Sequence, residues 1–254
     1  MDAPVNRSHR DPLPQAGYFE RAGELICQIA SASTEANVVE LFNQAAECIG
    51  ADMAFFCSLM SDRPTQLQAM LACDPRWALA YEQSNLPQRD PWIAYARERC
   101  EPVCASRIEN AAPSHFEALA LAKRFGFESI LVVPSPSTSS SAPTSVLVLG
   151  SCRAAFFESN RHAAMPAMSR WLSMELQQWW LNQGKRELVQ RAQLTSMDLD
   201  LLRHERKGYG TKEISRQLRM TKQSIDSRFQ RLNARLGVSS RKAAASLAAA
   251  YGLI

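Results

Sequence analysis

The sequence predicts an α+β protein: an N-terminal α-β-α sandwich joined by a linker to a C-terminal all-α part. Three observations carry this. Before residue 184, apolar residues recur at helical spacing in several windows, and short β-type runs stand between those windows. Residues 208–236 read as two helices joined by a tight turn at Arg219-Met220. Basic charge gathers at the same end: residues 203–242 hold twelve Lys and Arg against three Asp and Glu, +9, in a chain of +4 overall. Such concentration is the electrostatic footprint of a nucleic-acid binder.

The elements follow in order. Residues 1–16 are polar, carry Pro4, Pro12 and Pro14, and are expected as a flexible extension. Helices are expected over 18–32, with Leu25, Ile26 and Ile29 inward, and over 34–49, where Gly50 ends the run. Residues 53–60 and 65–71 read as strands about a turn at Asp62-Arg63-Pro64. A short helix over 76–84 precedes one over 90–99, opened by Asp90 as N-cap with Pro91 in its first position. A helix over 114–125 ends at Gly126, and strands at 129–133 and 145–149 flank the low-complexity loop PSPSTSSSAPT. A long helix is expected from Glu158 to Gln183, rich in Met and Trp. The N-terminal domain thus spans 17–181, the linker 182–193 around Gly184-Lys185-Arg186, and the C-terminal unit 194–254.

In that unit Thr211 and Thr221 are the N-cap candidates of the two helices. The second helix buries a stripe of Ile225, Phe229, Leu232 and Leu236. Its opposite face offers Gln223, Ser227 and Gln230, with Lys222, Arg228, Arg231 and Arg235 around them. Amides and hydroxyls read base edges and guanidinium groups hold phosphates, which suits a helix in a major groove of double-stranded DNA. Lys212 adds to the charge, and Asp226 is the exception: a carboxylate repels phosphate there.

The bulk properties exclude other classes. No window of 18 apolar residues spans a membrane, and no apolar core of a signal peptide follows Arg7 and Arg10. Seven dispersed Cys suit reduced thiols in a cytoplasmic protein, with no ligand spacing for a metal. Phosphate loops and catalytic elbows are absent, so neither cofactor nor enzyme activity is expected.

Residues 194–254 closely resemble the DNA-binding domain of LuxR-type transcription regulators. The matches are Leu194-Thr195, Asp198, Leu202, Gly208, Glu213-Ile214, Ser224-Ile225, Leu236-Gly237-Val238 and Arg241. The resemblance implies a four-helix helix-turn-helix fold with its third helix in the groove, and places Asp226, Ser227 and Gln230 against bases. In the first half, Trp77, Tyr81 and Asp90 match the W-x3-Y-x8-D-P of the family's autoinducer-binding domain. From residues alone they are two core aromatics a turn apart and a helix cap, the more ordinary reading, or a pocket around a polar ligand head. The resemblance favours the pocket, an N-acyl-homoserine lactone as ligand, and Trp92 and Ile93 beside the Asp. Trp92 is bulkier than the family's usual Val, Ala105 stands for a Trp, and Ile130 for a Gly. A homodimer on an inverted-repeat operator is implied, with contacts through Trp171, Trp179 and Trp180. The same departures also suit a ligand-independent regulator, or an anti-activator that heterodimerises with a related receptor.

Overall fold

A computed structural model describes residues 17–59, 67–84, 86, 89–108, 113–135, 143–159 and 164–254. The expected N-terminal extension, the Asp62-Arg63-Pro64 turn and most of the serine-rich loop lie outside these residues.

Helices α1 (Tyr18–Ile29) and α2 (Glu35–Ile49) open the chain, followed by strands β1 (Met53–Leu59) and β2 (Leu67–Ala72). Then come α3 (Pro75–Gln83), α4 (Pro91–Glu98), the short β3 (Val103–Cys104) and α5 (Pro113–Arg124). Strands β4 (Ser129–Ser135) and β5 (Thr144–Ser151) complete an antiparallel sheet of order β2-β1-β5-β4-β3. Pro134 is tolerated inside β4 because β3 pairs only with Leu131 and Val132, leaving that stretch of strand open on one side.

Strand periodicity builds the layers. Ala54, Phe56, Leu131, Val133, Leu147 and Leu149 face one way and pack with α1, α2 and α6 (Met165–Ala192). Phe55, Cys57, Leu59, Val132, Val146 and Val148 face the other way, under α3, α4 and α5. The result is the expected α-β-α sandwich with two separate cores.

The long helix differs from expectation at both ends. Glu158 does not start it. Its carboxylate accepts Ser106 Oγ at 2.8 Å and Ser129 Oγ at 2.5 Å, which holds it in a turn against β4. The helix begins at Met165 and does not stop at Gln183. Residues 182–192, expected as linker, are its last three turns, and Gln193 ends it in the left-handed region at φ 46°. Leu188 and Ala192 belong to the core of the C-terminal helices. Gly184 makes this joint possible: a Cβ there would lie 2.3 Å from Tyr251 Cε1, and Lys185 Nζ donates to Gly252 O at 2.9 Å.

Trp179 and Trp180 also correct an expectation. Trp179 is 3% exposed and its indole N–H donates to Ala32 O at 2.8 Å, while Trp180 packs against Phe56. Both serve the sensor's own core. Trp171 and Met174 are the large apolar residues that α6 leaves exposed.

The C-terminal unit is α7 (Ser196–Arg206), α8 (Thr211–Leu218), α9 (Lys222–Leu236) and α10 (Arg241–Ala250) around Leu201, Leu202, Ile214, Ile225, Phe229, Leu232 and Leu236. A capping box of Thr195 and Asp198 opens α7. Thr221 caps α9 through Ser224 N, as expected. Thr211 does not cap α8: Gly210 holds that position, and the Thr211 hydroxyl accepts from Arg241 Nη1 at 2.9 Å instead.

Candidate functional site

Two regions collect the candidate residues, and the sensor site comes first. Asp74 and Asp90, each followed by Pro, start α3 and α4. Asp90 Oδ1 accepts Trp92 N at 2.6 Å and Ile93 N at 3.1 Å. Its Oδ2 accepts the Tyr81 hydroxyl at 2.7 Å. The cap therefore delivers a carboxylate, 3% exposed, to the foot of Tyr81.

Around it runs a series of aromatic contacts. Tyr81 stacks on Trp77 at 4.9 Å, Trp77 on Phe55 at 4.3 Å, and Phe55 lies 6.0 Å from Trp92. Phe127 stands edge-on to Phe55 at 6.4 Å. Gly150 admits it, since a Cβ there would meet Phe127 Cδ1 at 1.8 Å. The structure thus brings Trp77, Tyr81, Asp90, Trp92 and Ile93 into one core, with Ala105 and Ile130 in its walls. Phe55 and Phe127 belong to the same cluster although the sequence did not single them out. The alternation along β1 shows that Phe55 and Phe56 face opposite layers, but not which layer carries the site.

Electrostatics follow burial. Burial pushes the Asp90 carboxyl above its ordinary range, against the pull of the Tyr81 hydroxyl and the two backbone N–H groups. Burial, with Asp90 beside it, raises the Tyr81 phenol far above its usual value, so it stays a donor. Cys57 faces the same cluster and is kept a neutral thiol, again by burial. Trp77 Nε1 and Trp92 Nε1 are buried with no acceptor among the described residues. These are polar, hydrogen-bonding groups set inside an aromatic core.

The second region is α9. Lys222, Gln223, Gln230, Arg231 and Lys212 of α8 are exposed. Ser227 is half-buried and accepts from Arg231 Nη1 at 3.1 Å. Asp226 and Arg235 behave otherwise than the sequence suggested. Asp226 forms a short ion pair with Arg241, whose guanidinium also lies 4.4 Å above the Phe229 ring. The carboxylate that seemed to oppose phosphate is thereby neutralised and ties α9 to α10. Arg235 is not free for phosphate: Nη1 donates to Ala192 O and Gln193 O at 3.0 Å each, and Nη2 to Asp198 Oδ2 at 2.9 Å. Thr195, Asp198, Arg228, Arg231, Ala234 and Arg235 border an open groove of about 440 Å³ beside α9.

Among the described residues no group of three or more His, Cys, Asp and Glu is placed to hold a metal, and no helix is long and apolar enough to cross a membrane.

A sandwich with a buried carboxylate and aromatic donors under α3–α5 is continued by a helical unit with a basic face. The model of the autoinducer binding domain matches residues 34–178, more than half of the chain. The chain belongs to that family, as its resemblance to LuxR-type quorum-sensing receptors implied, and the family is one of receptors and not of enzymes. No curated protein matches the chain in sequence.

Solved structures share its fold. SdiA of Escherichia coli superposes with a TM-score of 0.70 at 14% identity, over 93% of this chain and 99% of that one. SdiA in complex with octanoyl-rac-glycerol gives 0.61 at 15%, over 93% and 96%. CepR2 of Burkholderia cenocepacia, an N-acylhomoserine lactone dependent LuxR family factor, gives 0.55 at 16%, over 65% and 96%.

Proposed function

We propose that this is a cytoplasmic, DNA-binding transcription regulator of quorum-sensing type. It acts as a homodimer whose sensor domain takes a small acyl signal, an N-acyl-homoserine lactone or a related compound, and so controls operator binding by α8 and α9. The observation that carries the DNA reading is the outer face of α9. Gln223 and Gln230 stand exposed between Lys222 and Arg231, while Ile225, Phe229, Leu232 and Leu236 seat the helix. The amides suit base edges and the cations suit phosphates. Pairing of Asp226 with Arg241 removes the main electrostatic objection to DNA at this helix. Trp171 and Met174 on α6 are the dimer contacts we favour.

Gln230→Ala is expected to cost about 1–3 kcal/mol at one operator position and leave random DNA unaffected. Arg231→Ala is expected to weaken every sequence alike and to flatten the salt dependence by about one phosphate. Binding isotherms on operator and random duplexes at several salt concentrations separate the two. Equal loss on both duplexes for Gln230→Ala would remove it from base reading.

The signal half rests on Trp77, Tyr81 and Asp90 converging in an aromatic core, and on a protein of the same fold that holds an octanoyl glycerol. Thermal melts of the purified protein against N-acyl-homoserine lactones and monoacylglycerols of graded chain length test it. A ligand at a hundred times its Kd stabilises by about 2.7 kcal/mol, so melting is expected to rise by several degrees at the best-fitting length. The close stacking of Phe55, Trp77 and Tyr81 favours one competing reading, a ligand-independent regulator or an anti-activator that heterodimerises with a related receptor, its core filled by its own rings. Uniformly flat melts together with specific operator binding would establish that one instead.

A further inference from the structure

Asp226 is the one acidic residue of α9, and it lies on the exposed side of the helix. Gln223, Asp226 and Gln230 are all exposed and fall within about 60° of arc of one another at 100° per residue. An isolated carboxylate in that place would swing freely and repel phosphate. Asp226 does neither. Its Oδ1 accepts from Arg241 Nη2, and Thr211 Oγ1 lies 3.5 Å from the same oxygen. Arg241 is itself fixed: its Nη1 donates to Thr211 Oγ1 at 2.9 Å, and its guanidinium lies 4.4 Å over the ring of Phe229, which is 1% exposed. Residues of α8, α9 and α10 thus hold one oxygen of the carboxylate. The other, Oδ2, has no partner among the described residues, and the side chain is 56% exposed. The group is neutralised, oriented, and still has an acceptor to offer.

We infer that Asp226 is a specificity-determining residue of α9: Oδ2 accepts from the N4 amino group of a cytosine and so selects a C·G pair at one operator position. This rests on the DNA-binding reading above. The base follows from what an acceptor-only group can meet in the major groove. Guanine presents O6 and N7 and thymine presents O4, all of them acceptors that repel a carboxylate. Adenine sets the acceptor N7 beside its N6 amino group, whereas cytosine presents its N4 amino group with no acceptor beside it. Arg241 occupies Oδ1, so one oxygen remains, which matches a single amino donor.

Selection of duplexes from a randomised pool by the full chain, with and without N-octanoyl-homoserine lactone, tests this. Fluorescence anisotropy on the selected duplex and its variants at single base pairs gives the affinities. The wild type is expected to prefer C·G at one position about tenfold over the other pairs. Asp226→Asn is expected to move the preference at that same position to A·T, since a side-chain amide pairs with adenine N6 and N7. Asp226→Ala is expected to bind all pairs there within about twofold of one another. Both variants are expected to melt within a few degrees of wild type, because an exposed ion pair contributes little to folding. A purely structural role would not change which base is chosen. A C·G preference unchanged in Asp226→Ala, or no position at which the wild type prefers C·G, overturns the role of Asp226 and leaves the DNA-binding reading intact. Enrichment of no duplex over the random pool under either condition overturns both.

Discussion

Asp90→Ala is expected to destabilise the sensor domain by about 4 kcal/mol with no ligand present, because it removes a helix cap and strands buried donors. Trp92 N, Ile93 N and the Tyr81 hydroxyl all donate to this carboxylate, and Tyr81 is 4% exposed. A melting temperature lower by roughly 10 °C is the readout. A melt within a degree of wild type would mean that the three donors find other partners and that the cap contributes little. Asp90→Asn separates cap from charge: its amide oxygen still accepts both N–H groups, and its cost is expected near 1–2 kcal/mol. The pH dependence has a definite sign. Burial raises the folded pKa of Asp90 above the unfolded value of about 3.9, so the folded state keeps a proton that the unfolded state has lost. Stability contributed by this site therefore falls as pH rises from about 3.9 through the folded pKa, and the Asn variant is expected to lack that fall. Signal binding is accordingly better judged on Asp90→Asn than on Asp90→Ala, whose loss of response would mix contact with folding.

What the sequence makes legible here is local. Asp-Pro at 90–91 announces a cap, and the carboxylate that caps is also the one that meets Tyr81 nine residues back. Thr221 and Gly50 mark helix ends by the same short-range chemistry. The alternation in β1 and β5 assigns residues to two faces before any partner is known. What stayed hidden depends on partners far away in the chain. The exposed-looking Trp179 finds Ala32 147 residues away, and no periodicity records that. Gly184 reads as a linker signal, yet it interrupts nothing: its missing side chain is where Tyr251 packs, so the helix runs on and carries Leu188 and Ala192 into the second core. The unmet indole donors are likewise invisible in sequence, since a Trp is scored as apolar whichever way its N–H points.

Arg235→Ala distinguishes most sharply between a reading from helical spacing and one from geometry. On the helical wheel Arg235 stands at the margin of the groove-facing side, where a phosphate contact would cost DNA affinity and spare folding. In the fold its guanidinium closes the junction of α6, α7 and α9, donating to Ala192 O, Gln193 O and Asp198 Oδ2. Asp198 is 3% exposed. Removing Arg235 leaves that carboxylate with the Thr195 N–H at 3.1 Å and only Arg228, 4.0 Å away, to balance its charge. The expected cost is about 3 kcal/mol, below the top of the range for broken buried pairs because the Arg is partly solvated. Burial alone would raise the Asp198 carboxyl, but the Thr195 backbone N–H and Arg235 together hold it below its ordinary value. A depressed folded pKa stabilises above the unfolded value of about 3.9 and is lost as pH falls through the folded one, the opposite of Asp90. Melts of wild type and Arg235→Ala are therefore expected to differ most near neutrality and to converge in acid. Unchanged melting with weaker, less salt-dependent DNA binding would return Arg235 to the phosphate backbone. The expected fall in melting instead makes it the residue that sets α9 against the end of α6.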